Sequence, residues 1–251
     1  MTKIIAVSNQ KGGVGKTTTA VHLAYGLAQT GDKVLLVDMD AQGQCATLLG
    51  LAAESGVFNL LVAELGARHV VRVTDRENLH VILGDKKSTT AETVLSVQRV
   101  PISFMREKIT VVAGDEYQYI VIDTGPGAGE LQTQALWAAD AVLIPCTTDY
   151  LATDGIFRIK QTLEGLKENA KWQGKILGIL PTLFDTVTNE SKATMQDLQK
   201  HFPDELLPLS IHRATILREC AAAGKTVFEL NRRSRSTLEY TQLVNWVKTN
   251  F

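Results

Sequence analysis

The chain has 251 residues, 45% of them apolar and 21% charged, which is enough to bury a full core and excludes a disordered or fibrous polypeptide. A formal net charge of −1 excludes attraction to nucleic acid or anionic lipid by the whole-molecule field, so any such partner must meet a local patch. Cys45, Cys146 and Cys220 are far apart and fit no metal-ligand spacing, no apolar run reaches membrane-spanning length and no signal pattern opens the chain, so a reduced cytosolic protein is expected.

Residues 3–8 (KIIAVS) predict a buried strand, and a glycine- and lysine-rich loop follows it. Residues 17–30 predict a helix with Ala20, Leu23, Ala24 and Leu27 on one face, stopped by Gly31 and Asp32. Residues 33–37 (KVLLV) predict the next strand and complete a parallel βαβ unit with a right-handed crossover. Apolar runs at 79–83, 119–122, 141–145 and 176–181, and a weaker one at 206–211, predict further strands. Continuous runs of this kind suit strands covered on both faces by helices. Between residues 43 and 116 the helix signals are mixed, with a loop expected over 84–90. There is no internal repeat, linker or change of composition. The expectation is one α/β domain over residues 1–251, with a doubly wound, mostly parallel sheet and helices on both faces.

The loop reads Ser8-Asn9-Gln10-Lys11-Gly12-Gly13-Val14-Gly15-Lys16-Thr17-Thr18-Thr19. It departs from the pattern G-x-x-x-x-G-K-[ST], because Gln10 stands where the first glycine belongs and Lys11 is an extra cation. Its place between a buried strand and a helix start still aims backbone N–H groups and the positive helix end at an anion. Gly12, Gly13 and Gly15 permit a tight path close to phosphate oxygens, Lys16 is placed to reach the β- and γ-phosphates, and the Thr17 hydroxyl is placed to ligate Mg2+. Gly224-Lys225-Thr226 repeats the G-K-T letters without a glycine cradle or a leading strand, and no phosphate site is expected there. Asp38 and Asp40 end the second predicted strand, with both carboxylates expected on one side, and Asp123 ends the run 119–122. Strand ends of this kind are where open α/β sheets bind ligands, and a carboxylate there can hold Mg2+.

These residues resemble the ParA/MinD family of P-loop ATPases, whose variant loop reads K-G-G-x-G-K-[ST]; residues 11–17 fit it at every position. Residues 38–44 (DMDAQGQ) resemble the family's D-x-D-P-Q-G-N pattern, 123–126 (DTGP) resemble D-x-P-P, and 136–150 and 211–240 follow the family's run. Ala41 and Gly125 replace family prolines. The resemblance implies ATP and Mg2+ as cofactors and ATP hydrolysis as the activity. It implies that Gly12, Gly13, Val14, Gly15, Lys16, Thr17 and Thr18 cradle the phosphates, with Thr18 at the α-phosphate. Thr17, Asp38 and Asp123 are implied to serve the metal, and Asp40 to position the attacking water. Lys11 is implied to cross to the phosphates held by a second copy, so that two nucleotides are sandwiched in a homodimer. Residues 182–185 (TLFD) occupy the place of the guanine-reading [NT]-K-x-D and lack its lysine, so adenine is expected, with Thr182 among the nucleotide-binding candidates.

Residues 213–235 carry six cations (Arg213, Arg218, Lys225, Arg232, Arg233, Arg235) and two acids, a local charge of +4. The five arginines are candidate contacts for DNA phosphates, although the family's usual arginine position is taken by Ile216. No helix-turn-helix is expected ahead of the first strand, so binding without sequence preference is the expectation. Residues 238–251 carry a single cation, Lys248, and read as a core-packing helix rather than a membrane-binding one. The expected role is a nucleoid-associated ParA-like ATPase that positions a plasmid, chromosomal locus or protein organelle, with a cargo adaptor that stimulates hydrolysis and with no membrane partner. A MinD-like membrane-cycling ATPase and a small-molecule enzyme of the same fold are the alternatives.

Overall fold

Alternate residues of the central strands serve two different helical layers, which is why their sequences are apolar throughout. Ile4 and Ala6 pack into one core with Leu35, Val37, Ile120 and Ile122, whereas Ile5 and Val7 pack into the other with Val34, Leu36 and Val121. The computed structural model describes residues 2–150 and 152–251. In chain order the elements are β1 (Lys3–Val7), α1 (Lys16–Gln29), β2 (Val34–Asp38), α2 (Gln44–Leu49), α3 (Gly56–Leu61), α4 (Ala67–Val70), β3 (Arg72–Val73), β4 (Leu79–Ile82), α5 (Lys87–Gln98) and α6 (Phe104–Ala113). They continue with β5 (Tyr119–Asp123), α7 (Glu130–Ala138), β6 (Ala141–Thr147), α8 (Ala152–Ala170), β7 (Lys175–Thr182), α9 (Asn189–His201), α10 (Thr215–Ala223), α11 (Val227–Leu230) and α12 (Arg235–Asn250).

The strands form a sheet ordered β3-β4-β2-β5-β1-β6-β7, parallel except for the short antiparallel edge strand β3. Helices α3 to α9 cover one face and α1, α2, α10, α11 and α12 the other. Strand β1 lies between β5 and β6, and its carboxyl end is a switch point of the kind where doubly wound sheets open a ligand crevice. Register brings the chemistry to one level: Val7 pairs with Asp123, and Asp123 with Asp38.

Residues 206–211 do not form the strand expected of them. They make only isolated bridges, Ile179 with Leu206 and Phe184 with His212. Leu207 N–H donates to the Ile179 carbonyl and Ile211 N–H to that of Pro181, so four residues of this segment span only two of β7 and no regular ladder runs on. Helix α12 buries Tyr240, Leu243, Val244 and Val247, so its apolar face is spent on the core as expected. It sits so close to α1 that a Cβ at Gly26 would stand 2.5 Å from a Val244 methyl.

Candidate nucleotide site

The loop joining β1 to α1 turns at Gly13 (φ 74°) and Gly15 (φ 80°), conformations that L side chains rarely adopt, and open space lies where a Cβ on Gly12 or Gly13 would stand. Its lysines have separate engagements. Lys16 Nζ donates to the Lys11 carbonyl at 2.9 Å, closing the loop upon itself. Burial lowers the Lys16 pKa from its ordinary value, with Asp123 and Asp40 pulling the other way. Lys11 Nζ donates instead to both carboxylate oxygens of Asp149, at 2.6 and 2.8 Å, at the far end of β6. Thr182, 3% exposed, has its hydroxyl oxygen 2.9 Å from both the Val14 and the Cys146 carbonyls, which share its one proton, so the side chain links the loop to the sheet.

The three strand-end carboxylates occupy different depths. Asp38 and Asp123 are fully buried, whereas Asp40 lines the cavity. Asp38 accepts N–H donations from Asp40 (3.0 Å) and Cys45 (3.1 Å), which fold the following loop over it; burial nevertheless pushes its pKa up to about 7. Asp40 in turn accepts from Gln42 N–H at 2.9 Å. Asp123 is also raised, by burial first and then by the charge of Asp38, against the nearby Thr17 hydroxyl and Lys16 ammonium. Its Oδ2 accepts from the Cys45 thiol at 3.6 Å, and its Oδ1 is buried without a hydrogen-bond partner among the described residues. An orphaned hard oxygen beside a threonine hydroxyl is a donor set that a magnesium ion fits.

A cavity of about 1120 Å³ opens over these groups. Gly12, Gly13, Gly15, Lys16, Thr17, Thr18 and Asp40 line it, together with the apolar side chains of Leu183, Ile211, Leu217 and Tyr240. The five arginines grouped along the sequence have different settings. Arg213 and Arg218 line this cavity, Arg232 and Arg233 are exposed between α11 and α12, and Arg235 pairs with Glu239 one helical turn on. Gly224 ends α10 and Thr226 caps α11 through a capping box with Glu229, so the second G-K-T is a joint between helices.

Two contributors escape sequence reasoning. Asp149 lies 138 residues from Lys11, in a stretch that follows the family's run but gives no sign of the pairing. Gly84 packs against the loop that carries the aspartates, where a Cβ would stand 2.5 Å from the Asp38 carbonyl and 2.8 Å from that of Asp40. Its only local sign is a glycine just after an apolar run. The loop after β5 is likewise tied to the phosphate loop, through Gly127 N–H to the Gln10 carbonyl and the Thr124 hydroxyl to Ser8 Oγ.

A family model described as an AAA domain matches residues 2–176. The sporulation initiation inhibitor protein Soj of Bacillus subtilis is 34% identical, with all of both chains covered. The chromosome partitioning protein ParA of Myxococcus xanthus is 33% identical over 96% of this chain and 86% of its own. An ATP complex of Cyanothece McdA is similar in fold, with a TM-score of 0.88 at 20% identity, covering 98% of this chain and 96% of its own. Further structures of this fold hold ADP and magnesium. The chain takes ATP with Mg2+, is an ATP hydrolase, and belongs to the Soj/ParA family of partition ATPases.

Proposed function

We propose that the chain works as a single nucleotide-binding unit that closes as an ATP-bound homodimer, binds DNA without sequence preference and positions a cargo over the nucleoid. The observation that carries this reading is the placement of Lys11. Lys16 Nζ turns back onto its own loop, against the Lys11 carbonyl, whereas Lys11 lines a second cavity, of about 440 Å³, together with Thr147, Asp149, Asp185 and Arg213. A cation at the mouth of the site, engaged away from it, suits delivery to the phosphates of a second copy. Such a contact offsets phosphate charge only in the closed dimer and so links nucleotide state to assembly.

In this scheme the N–H groups of residues 12–18 and Lys16 hold the phosphates, while Thr17 and Asp123 hold Mg2+, with Asp38 behind them. The ion supplies charge neutralisation at the phosphates when bound. Asp40 orients the attacking water. Arg232 and Arg233 meet DNA phosphates, which carry no sequence information. Arg213 and Arg218 line the nucleotide cavity, so any contact they make with DNA responds to the bound nucleotide. A cargo adaptor stimulates hydrolysis and releases the complex. Among the described residues no helix is long and apolar enough to cross a membrane.

The test is particle mass by light scattering in ATP and Mg2+. Lys11→Ala is expected to keep ATP binding through Gly12 to Thr18 and to lose most of the dimer. An undiminished dimer in that variant would overturn the trans role.

A further inference from the structure

Resting on the reading that Lys11 acts in trans, the geometry points to Asp149 as a positioning residue that keeps Lys11 on its own subunit and sets the threshold for dimer closure. An ammonium group has three protons to donate. Here Asp149 takes two, at 2.6 and 2.8 Å, and Thr147 Oγ1 lies at 3.5 Å for the third. The carboxylate is itself oriented by the Thr147 hydroxyl, which donates to its Oδ2 at 2.9 Å.

The backbone supports the same pairing. Lys11 N–H donates to Asn9 Oδ1 at 3.0 Å, and Asn9 Nδ2 donates to the Pro145 carbonyl at 2.8 Å. The lysine is therefore tethered to the strand from whose end Asp149 projects. That end is stitched to the start of α9: Thr148 and Ser191 hydroxyls meet at 2.6 Å, Ser191 Oγ accepts from Asp185 N–H at 3.0 Å, and Glu190 accepts from Tyr150 N–H at 3.3 Å. Both partners of the ion pair are held before any phosphate arrives. Delivery of Lys11 to a second copy must break this bidentate contact, once in each subunit.

The magnitude is bounded by exposure. The two side chains are 29% and 45% exposed. Partly exposed pairs of this kind are worth a factor of roughly 1.5 to 5 each. Loss of two per dimer is expected to tighten the ATP dimer by roughly 2- to 25-fold. A latch of this size raises the protein concentration at which closure begins without preventing closure.

The experiment measures the dimer dissociation constant by sedimentation in ATP and Mg2+ for the wild type, Asp149→Asn, Asp149→Glu, Lys11→Ala and the double variant Lys11→Ala/Asp149→Asn. Asp149→Asn is expected to tighten the dimer, Asp149→Glu to restore the wild-type constant, and Asp149→Asn to have no effect once Lys11 is gone. A constant that is unchanged or weakened in Asp149→Asn, with Lys11→Ala still impaired, overturns the latch and leaves the sandwich reading standing. So does an Asp149→Asn effect of equal size with and without Lys11, because Asp149 then acts through another group. A wild-type protein that stays monomeric with ATP overturns the sandwich reading and the latch with it.

Discussion

Asp40 is held in place by its neighbours before any water needs orienting. Its carboxylate accepts from Gln42 N–H, its own N–H is spent on Asp38, and a Cβ at Gly125 would stand only 3.5 Å from its carboxylate carbon. Asp40→Ala removes that carboxylate from the cavity wall and leaves the glycine cradle and Lys16 untouched. Turnover is expected to fall about a hundredfold or more, the scale of a positioned acid–base group, while ATP affinity stays within a few-fold. Phosphate release and nucleotide binding, measured on the same preparation, check this, and wild-type turnover would pass the role to Asp38. That residues 11–18 gather at one candidate site was legible because they occupy adjacent positions on one loop. Asp38, Asp40 and Asp123 were legible because a parallel sheet brings strand ends to one edge. What the spacing could not convey was depth: only the packing of residues 40–45 over Asp38 distinguishes a buried support from a cavity wall.

At the scale of elements, the stretch between residues 43 and 116 was opaque for physical reasons. Helices α2, α3 and α4 have 6, 6 and 4 residues, too few to display a period, and α5 buries only Ser88, Ala91 and Leu95. The most consequential residue there is Gly84. Gly84→Ala would drive a Cβ into two backbone carbonyls that cannot swing aside, so the loop carrying Asp38 and Asp40 must move. A stability loss of about 1–3 kcal/mol and reduced turnover are expected, read by urea denaturation and ATPase assay. The joint between α1 and α11 yields a pH prediction. Val227 N–H donates to His22 Nε2 at 3.1 Å, which leaves the ring proton on Nδ1 to donate to the Thr18 carbonyl at 2.7 Å, and the ring stacks on Tyr240. Burial lowers the His22 pKa from 6.5 to about 4. The unfolded chain therefore binds the proton more readily than the folded one between those values, and stability is lost as pH falls from 6.5 towards 4. The loss by pH 4 is about 3 kcal/mol. Comparing the pH dependence of unfolding in wild type and His22→Gln cancels the contribution of Asp38 and Asp123, whose raised pKa values act in the opposite sense. Identical pH slopes in the two proteins would refute it.

At the scale of the whole molecule the charge is close to neutral, so the proposed binding to DNA would have to come from bringing patches together. Arg232 and Arg233 are exposed on one subunit, while Arg235 is partly committed to Glu239. A monomer with so few phosphate contacts binds weakly, and its binding is set by counterion release. In the proposed ATP dimer two such patches would share one particle, and the second engagement would become effectively intramolecular, raising avidity by roughly a hundredfold or more where the geometry fits. Binding of random duplex DNA is thus expected to need ATP and to fall steeply with salt. Replacing Arg232 and Arg233 with Ala is expected to weaken binding on all sequences and to flatten the logarithmic salt slope by about one unit per lost contact. Those two positions are the right ones to change, because Arg213 and Arg218 line the nucleotide cavity and their loss would confound DNA affinity with ATP affinity. ATPase activity and dimer mass should survive the double substitution. An ATP dimer that ignores DNA at low salt would remove the nucleoid from the scheme while leaving the nucleotide site as described.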